Sequence, residues 1–197
     1  TEDIYLEDTK YLNLSKTFVL SDRFLPTSNS KNSLIKSKNS HEKIKLLTLG
    51  TISSNKNPIK FLKQFKELEK NIQSRFEYKI YGKIVEENLD ELWGLVNEAD
   101  LIVIPYSGEY LKYATSGVMW DCFEKSKLIL CPEHELFMHY INRYQIGYTY
   151  NQKNFNRVLK EITNNTPKQM INNFEKLLNN LAFDKHVAIL EDNLINN

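Results

Sequence analysis

The sequence is short of the residues that announce specialised chemistry. It holds two cysteines, six glycines and five prolines in 197 residues. Cys122 and Cys131, nine positions apart, make neither a disulfide framework nor a zinc cluster. There is no G-x-G-x-x-G fingerprint and no Walker spacing. No apolar run approaches the roughly eighteen residues of a membrane-spanning helix. Thr1 opens a mixed polar stretch with no signal-peptide pattern, so a cytoplasmic, reducing compartment is expected. The missing initial methionine leads us to expect a fragment. Net charge is only +1, which argues against a dedicated nucleic-acid binder with its strongly basic face. Lysine and asparagine each occur 22 times. Scattered Lys and Asn are what a solvated surface tolerates, so this bias carries no functional weight.

What is present specifies a folded chain. Hydrophobic residues make up 41% and aromatics 12% of it, enough apolar area to offset the entropy of ordering. The length suits one domain plus an appendage. Residues 1–43 read as a strap and linker: short apolar runs up to Leu25-Pro26, then a Ser/Asn/Lys-rich stretch. From Ile44 the texture changes to alternating strands and helices. Ile44–Leu49, Phe76–Tyr81, Asp100–Pro105, Leu128–Cys131 and Ile146–Tyr150 read as strands. Asn57-Pro58 reads as N-cap and first helical residue, opening one amphipathic helix through Ile59, Leu62, Phe65, Leu68 and Ile72. Further stripes follow at Leu89–Ala99, Val118–Lys125, Leu136–Asn142 and Phe155–Ile162. Beyond Pro167, Met170–Leu181 forms a long helix and Val187–Leu194 a weaker one. The alternation predicts an α/β fold with an open, doubly wound parallel sheet. Domain limits are 1–43 for the strap, 44–165 for the sheet domain and 166–197 for the extra C-terminal helices.

Ligands of such sheets bind beyond the carboxyl ends of the strands, which directs attention to two junctions. The first is Gly50-Thr51-Ile52-Ser53-Ser54-Asn55-Lys56-Asn57, a strand, a small polar loop, a lysine and a helix start. Backbone N–H groups and the helix dipole favour an anion there, and Lys56 adds a point charge. A capped surface turn fits the same residues. The second runs from Pro105-Tyr106 to Ser116-Gly117 and the helix carrying Asp121. A Ser-Gly helix start presents unpaired N–H groups and admits a phosphate closely. Asp121 is placed either to accept two ribose hydroxyls or merely to complement the helix dipole. Both junctions are expected to open onto one cleft and grip a pyrophosphate together. Other features are discounted. His134 and His139 are five apart and lie on different faces of a helix, so the zincin spacing is missing. Cys122, Trp93 and Trp120 read as packing residues.

In order and spacing, three segments over about 120 residues resemble the C-terminal, nucleotide-sugar-binding domain of a GT-B fold, group 1 type glycosyltransferase, a Rossmann-like half. They are Leu47–Thr51 with Lys56-Asn57, Glu98–Tyr106, and Ser116–Asp121 followed by Lys127–Leu130. The resemblance implies roles at matching positions. Gly50 and Thr51 would approach the donor diphosphate through backbone groups, and Lys56 would stabilise the leaving diphosphate. Ser116, Gly117 and Val118 would offer N–H groups to the phosphates. Asp121 stands where the family places a ribose-binding Glu. Tyr81-Gly82 ends the strand near the base, and Tyr106 closes the Pro-Tyr element. It implies transfer of a sugar from a nucleotide-diphosphate-sugar to an acceptor hydroxyl in polysaccharide or glycan synthesis, as a hexosyltransferase. Neither a metal nor another cofactor is expected. The acceptor-binding N-terminal domain would be the missing partner, the C-terminal helices would pack back toward it, and the full-length protein would associate peripherally with a membrane. The fragment alone is expected to be inactive. The sequence departs from the pattern at Thr51, where the family has Arg, and at Tyr113, where many retaining members have an acid. Those departures keep open an alternative, a non-catalytic Rossmann-like binding or assembly module that has lost donor chemistry.

Overall fold

The computed structural model describes residues 42–50, 56–82, 89–106, 108, 116–164 and 168–182. Strands β1 (Ile44–Leu49), β2 (Phe76–Tyr81), β3 (Leu101–Val103), β4 (Leu128–Pro132) and β5 (Gly147–Tyr150) alternate with helices. The helices are α1 (Pro58–Lys66), α2 (Lys70–Gln73), α3 (Leu89–Glu98), α4 (Gly117–Glu124), α5 (Glu135–Tyr144), α6 (Phe155–Asn164) and α7 (Lys168–Leu181). The strands form one five-stranded sheet in the order β2-β1-β3-β4-β5. Every pairing is parallel. The doubly wound α/β fold expected from the alternation is therefore present.

Burial explains the strand compositions. Leu101, Ile102, Val103 and Ile104 are buried, as are Leu128, Ile129, Leu130 and Cys131, because helices cover both faces of the central strands. The chain leaves β1 toward β2 and leaves β3 toward β4, in opposite directions along the sheet. Right-handed crossovers then place α1 and α4 on opposite faces. Ring contacts follow that division. Phe61 of α1 meets Phe155 of α6 with centroids 5.4 Å apart. Phe123 of α4 meets Tyr140 of α5 at 5.0 Å. The switch point lies between β1 and β3, where such sheets bind their ligands.

Two expectations require correction. The single helix through Ile59 and Ile72 is two helices, α1 and α2, broken at Glu67–Glu69. Ile59 is 54% exposed, whereas Phe61, Phe65, Leu68 and Ile72 are buried. Phe65 packs against Phe76 and Tyr78, and Leu68 and Ile72 continue the same buried side across the break. The strand expected over Asp100–Pro105 is shorter, Leu101–Val103. The buried Asp100 carboxylate accepts from Lys45 N at 2.6 Å, and Pro105 has no N–H to extend the ladder.

By internal contacts the chain divides into a unit of residues 32–174 and a unit of residues 1–31 with 175–197. The sheet and helices α1 to α6 belong to the first. In the second, the described residues are the end of α7 and Ala182, with Leu177, Leu178 and Leu181 buried. The strap before Glu42 and the helix expected over Val187–Leu194 lie outside the described residues.

Candidate functional site

The site is built at the switch point. β1 ends at Gly50, whose φ of +100° is open to glycine and strained for other residues. Its N–H donates to Tyr81 O at 3.2 Å, so the ends of β1 and β2 are tied together. A Cβ added at Gly50 would lie 3.7 Å from Lys56 Nζ and 3.7 Å from Val118 Cγ2. Lys56, entering α1, and Val118, in the first turn of α4, therefore flank the same point above the strand end. Lys56 Nζ also stands 5.4 Å from the ring centroid of Tyr106, within cation–π range. Tyr106 is buried and follows β3 through Pro105. Four residues from two strand-to-helix junctions thus converge: Gly50 and Lys56 from the first, Tyr106 and Val118 from the second.

Each junction has its own local cause. Asn57 precedes Pro58 but adopts a left-handed conformation, φ 43°, without a side-chain cap. It is the N-cap expected from the sequence, acting through its backbone: its carbonyl accepts from Lys60 N and Phe61 N, and Pro58 at the first helical position needs no partner. Ser116 does cap its helix. Its buried Oγ accepts from Met119 N at 3.1 Å, and its carbonyl accepts from Met119 N and Trp120 N. The N–H groups of Gly117 and Val118, ahead of that bonding, have no partner within the helix. Gly117 is exposed, with open space where a side chain would stand. This is a cationic and N–H-rich corner of the kind that accepts phosphate oxygens.

The remaining candidates sit farther out. Asp121 is half-buried on α4, just past its first turn. Tyr81 directs its hydroxyl to Glu91 on α3 at 3.4 Å, and Gly82 beside it is exposed. Thr51, Tyr113 and the loops around them lie outside the described residues. His134 caps α5, its Nδ1 accepting from Leu136 N at 3.4 Å, while His139 packs edge-on against Tyr140. Among the described residues no group of three metal-ligating side chains occurs. Burial raises the thiols of Cys122 and Cys131 above the ordinary range, as suits packing residues.

Beside this corner lies a cleft of about 260 Å³. Its buried walls include Phe61, Pro105, Tyr106 and Tyr150. Lys60, Glu133, Asn151 and Gln152 also line it. Tyr106 is common to the corner and the cleft. Sequence reasoning missed most of this lining; the polar run Asn151–Asn154 after the last strand was the available signal. Glu133, next to the discounted His134, is held by two amides. Asn151 Nδ2 donates to Oε2 at 2.7 Å and Asn154 Nδ2 to Oε1 at 2.8 Å.

No protein-family model matches the chain, and no curated protein does. Its all-parallel sheet flanked by helices is a Rossmann-like arrangement. The likeness is to the crystal structure of WaaG, a glycosyltransferase involved in lipopolysaccharide biosynthesis, with a TM-score of 0.54 and 14% identity. It covers 71% of this chain and 43% of that one, so the chain spans less than half the length of that structure. Among the described residues, no helix is long and apolar enough to cross a membrane.

Proposed function

We propose that this chain is the donor-binding half of a glycosyltransferase, holding a nucleotide-diphosphate-sugar whose sugar passes to an acceptor hydroxyl in polysaccharide or glycan synthesis. The observation that carries the reading is the convergence on one point of Gly50, Lys56 and Val118 from two separate strand-to-helix junctions. Diphosphate oxygens resting there would meet the Lys56 ammonium and the N–H groups of Gly117 and Val118. In the transfer the bond from the anomeric carbon to the diphosphate oxygen breaks, and negative charge grows on the leaving group. Fixed donors and a lysine at that position stabilise the developing charge without reorganising. Asp121 accepts ribose hydroxyls, and the end of β2 at Tyr81-Gly82 borders the base. The acceptor and the residues that activate it belong to a partner domain, so the chain alone binds donor without turnover.

Titration with UDP, GDP, ADP and TDP, followed by backbone amide shifts, tests the reading. Shifts at Gly50, Lys56, Gly117 and Val118 with one or more of these nucleotides are expected. No response at millimolar concentrations would overturn it.

A further inference from the structure

We infer that the cleft between α1 and the carboxyl ends of β3, β4 and β5 receives the sugar ring of the donor, with Glu133 accepting two of its hydroxyls. This inference rests on the diphosphate reading above and extends it to a second set of residues.

Continuity is the first reason. Tyr106 lies under Lys56 Nζ and also lines the cleft. Asn57, the residue after Lys56, lines it as well. A group joined to a diphosphate at Lys56 therefore has the cleft as its neighbouring space. Size is the second. Pockets for whole small-molecule ligands run from about 300 to 1,000 Å³, so 260 Å³ suits one ring and excludes an entire nucleotide sugar.

Chemistry is the third reason. A sugar ring offers apolar C–H faces and a circle of hydroxyls that both donate and accept. The cleft matches both, with Phe61, Pro105, Tyr106 and Tyr150 as apolar and aromatic wall and the amides of Asn57, Gln64, Asn151 and Gln152 around it. Glu133 is held in advance. Each carboxylate oxygen already accepts one amide hydrogen, from Asn151 or Asn154, and each keeps a second lone pair for a hydroxyl. Asn151 is fixed in turn: its Oδ1 accepts from Lys153 N at 2.8 Å and from Asn154 N at 3.0 Å. Its N–H donates to Asn154 Oδ1 at 2.7 Å. A carboxylate locked this way loses little freedom on binding, which is how preorganisation contributes to affinity.

The experiment compares each nucleoside diphosphate with its glucose conjugate (UDP with UDP-glucose, and likewise GDP, ADP and TDP) on the full chain. The side-chain amide signals of Asn57, Gln64, Asn151 and Gln152 serve as reporters. The conjugate is expected to shift these signals, and the bare diphosphate to leave them in place while shifting the Gly117 and Val118 amides. Glu133→Gln is expected to weaken the conjugate about tenfold and leave the diphosphate unchanged; Gln152→Ala, an exposed change outside the carboxylate network, lowers the conjugate's affinity in the same sense. A purely structural Glu133 would lower the melting temperature without separating the two ligands. If the diphosphate binds and the conjugate adds no shift in the cleft, the sugar assignment falls and the diphosphate site stands. If neither binds, both fall.

Discussion

Replacing Lys56 is the sharpest perturbation of the proposed diphosphate corner. Its Nζ stands 3.7 Å from the point a Gly50 Cβ would occupy, so a phosphate oxygen above the strand end lies within direct reach. Two unit charges about 4 Å apart attract by about 4 kcal/mol at an effective dielectric near 20. After desolvation of both groups, a hydrogen bond between charged partners nets about 1.5–3 kcal/mol. Lys56 is partly exposed, which places the expected loss near the lower end. Lys56→Ala should therefore raise the Kd of the best-binding nucleoside diphosphate about tenfold. Lys56→Met, which keeps an apolar stem against Tyr106, separates charge from packing and should lose the same factor. Calorimetric titration at low and high salt checks the origin, because the Debye length falls from about 8 Å at 0.15 M to about 3 Å at 1 M. The wild type should lose affinity with salt more steeply than either variant. An unchanged Kd in Lys56→Met would refute the reasoning and favour a binding module without donor chemistry.

Other consequences concern the frame around the site. A Cβ at Gly147 would stand 2.2 Å from Ile129 O and 2.9 Å from Ile129 N, both rigid backbone. Gly147→Ala should cost about 1–3 kcal/mol or more, visible as a lowered thermal midpoint; an unaltered midpoint would contradict the close approach of β5 to β4. Gly50→Ala meets no clash but must hold φ at +100°. It should lose about 1–2 kcal/mol of stability and weaken diphosphate binding, since its methyl fills the space beside Lys56 and Val118; tighter binding would contradict that geometry. Burial holds Cys122, Cys131 and Tyr150 protonated above their ordinary ranges and pushes Tyr78 up to about 12. The unfolded chain releases these protons from near pH 9.0 for the thiols and 10.0 for the phenols. The native state then binds more protons, so stability should fall as pH rises above about 9. Denaturant melts between pH 7 and 11 check the sign, and a rise would show the groups exposed.

The framework of this protein was legible in its sequence wherever local chemistry acts alone. Aliphatic runs such as Leu101–Val103, alternating with amphipathic helices, suit strands of a parallel sheet covered on both faces. Ser116-Gly117 carries its own helix start, and Gly50 ends its strand. The long-range partners were not legible. Whether Phe61 or Ile59 turns inward depends on Tyr78, Tyr150 and Phe155, residues distant along the chain; periodicity alone found Phe65, Leu68 and Ile72 but took Ile59 for Phe61, and gave one helix where there are two. That Lys56 and Val118 meet over Gly50 follows from opposite crossovers at the switch point. Spacing could raise that expectation, and only the pairing order β2-β1-β3-β4-β5 realises it. Glu133 shows the difference most plainly. In sequence it stands beside the discounted His134 with nothing to mark it, and in the fold its carboxylate belongs to two asparagines beyond the next strand. Backbone preferences and hydrophobic pattern are written residue by residue, whereas a side chain's partners are set by which strand ends the sheet brings together.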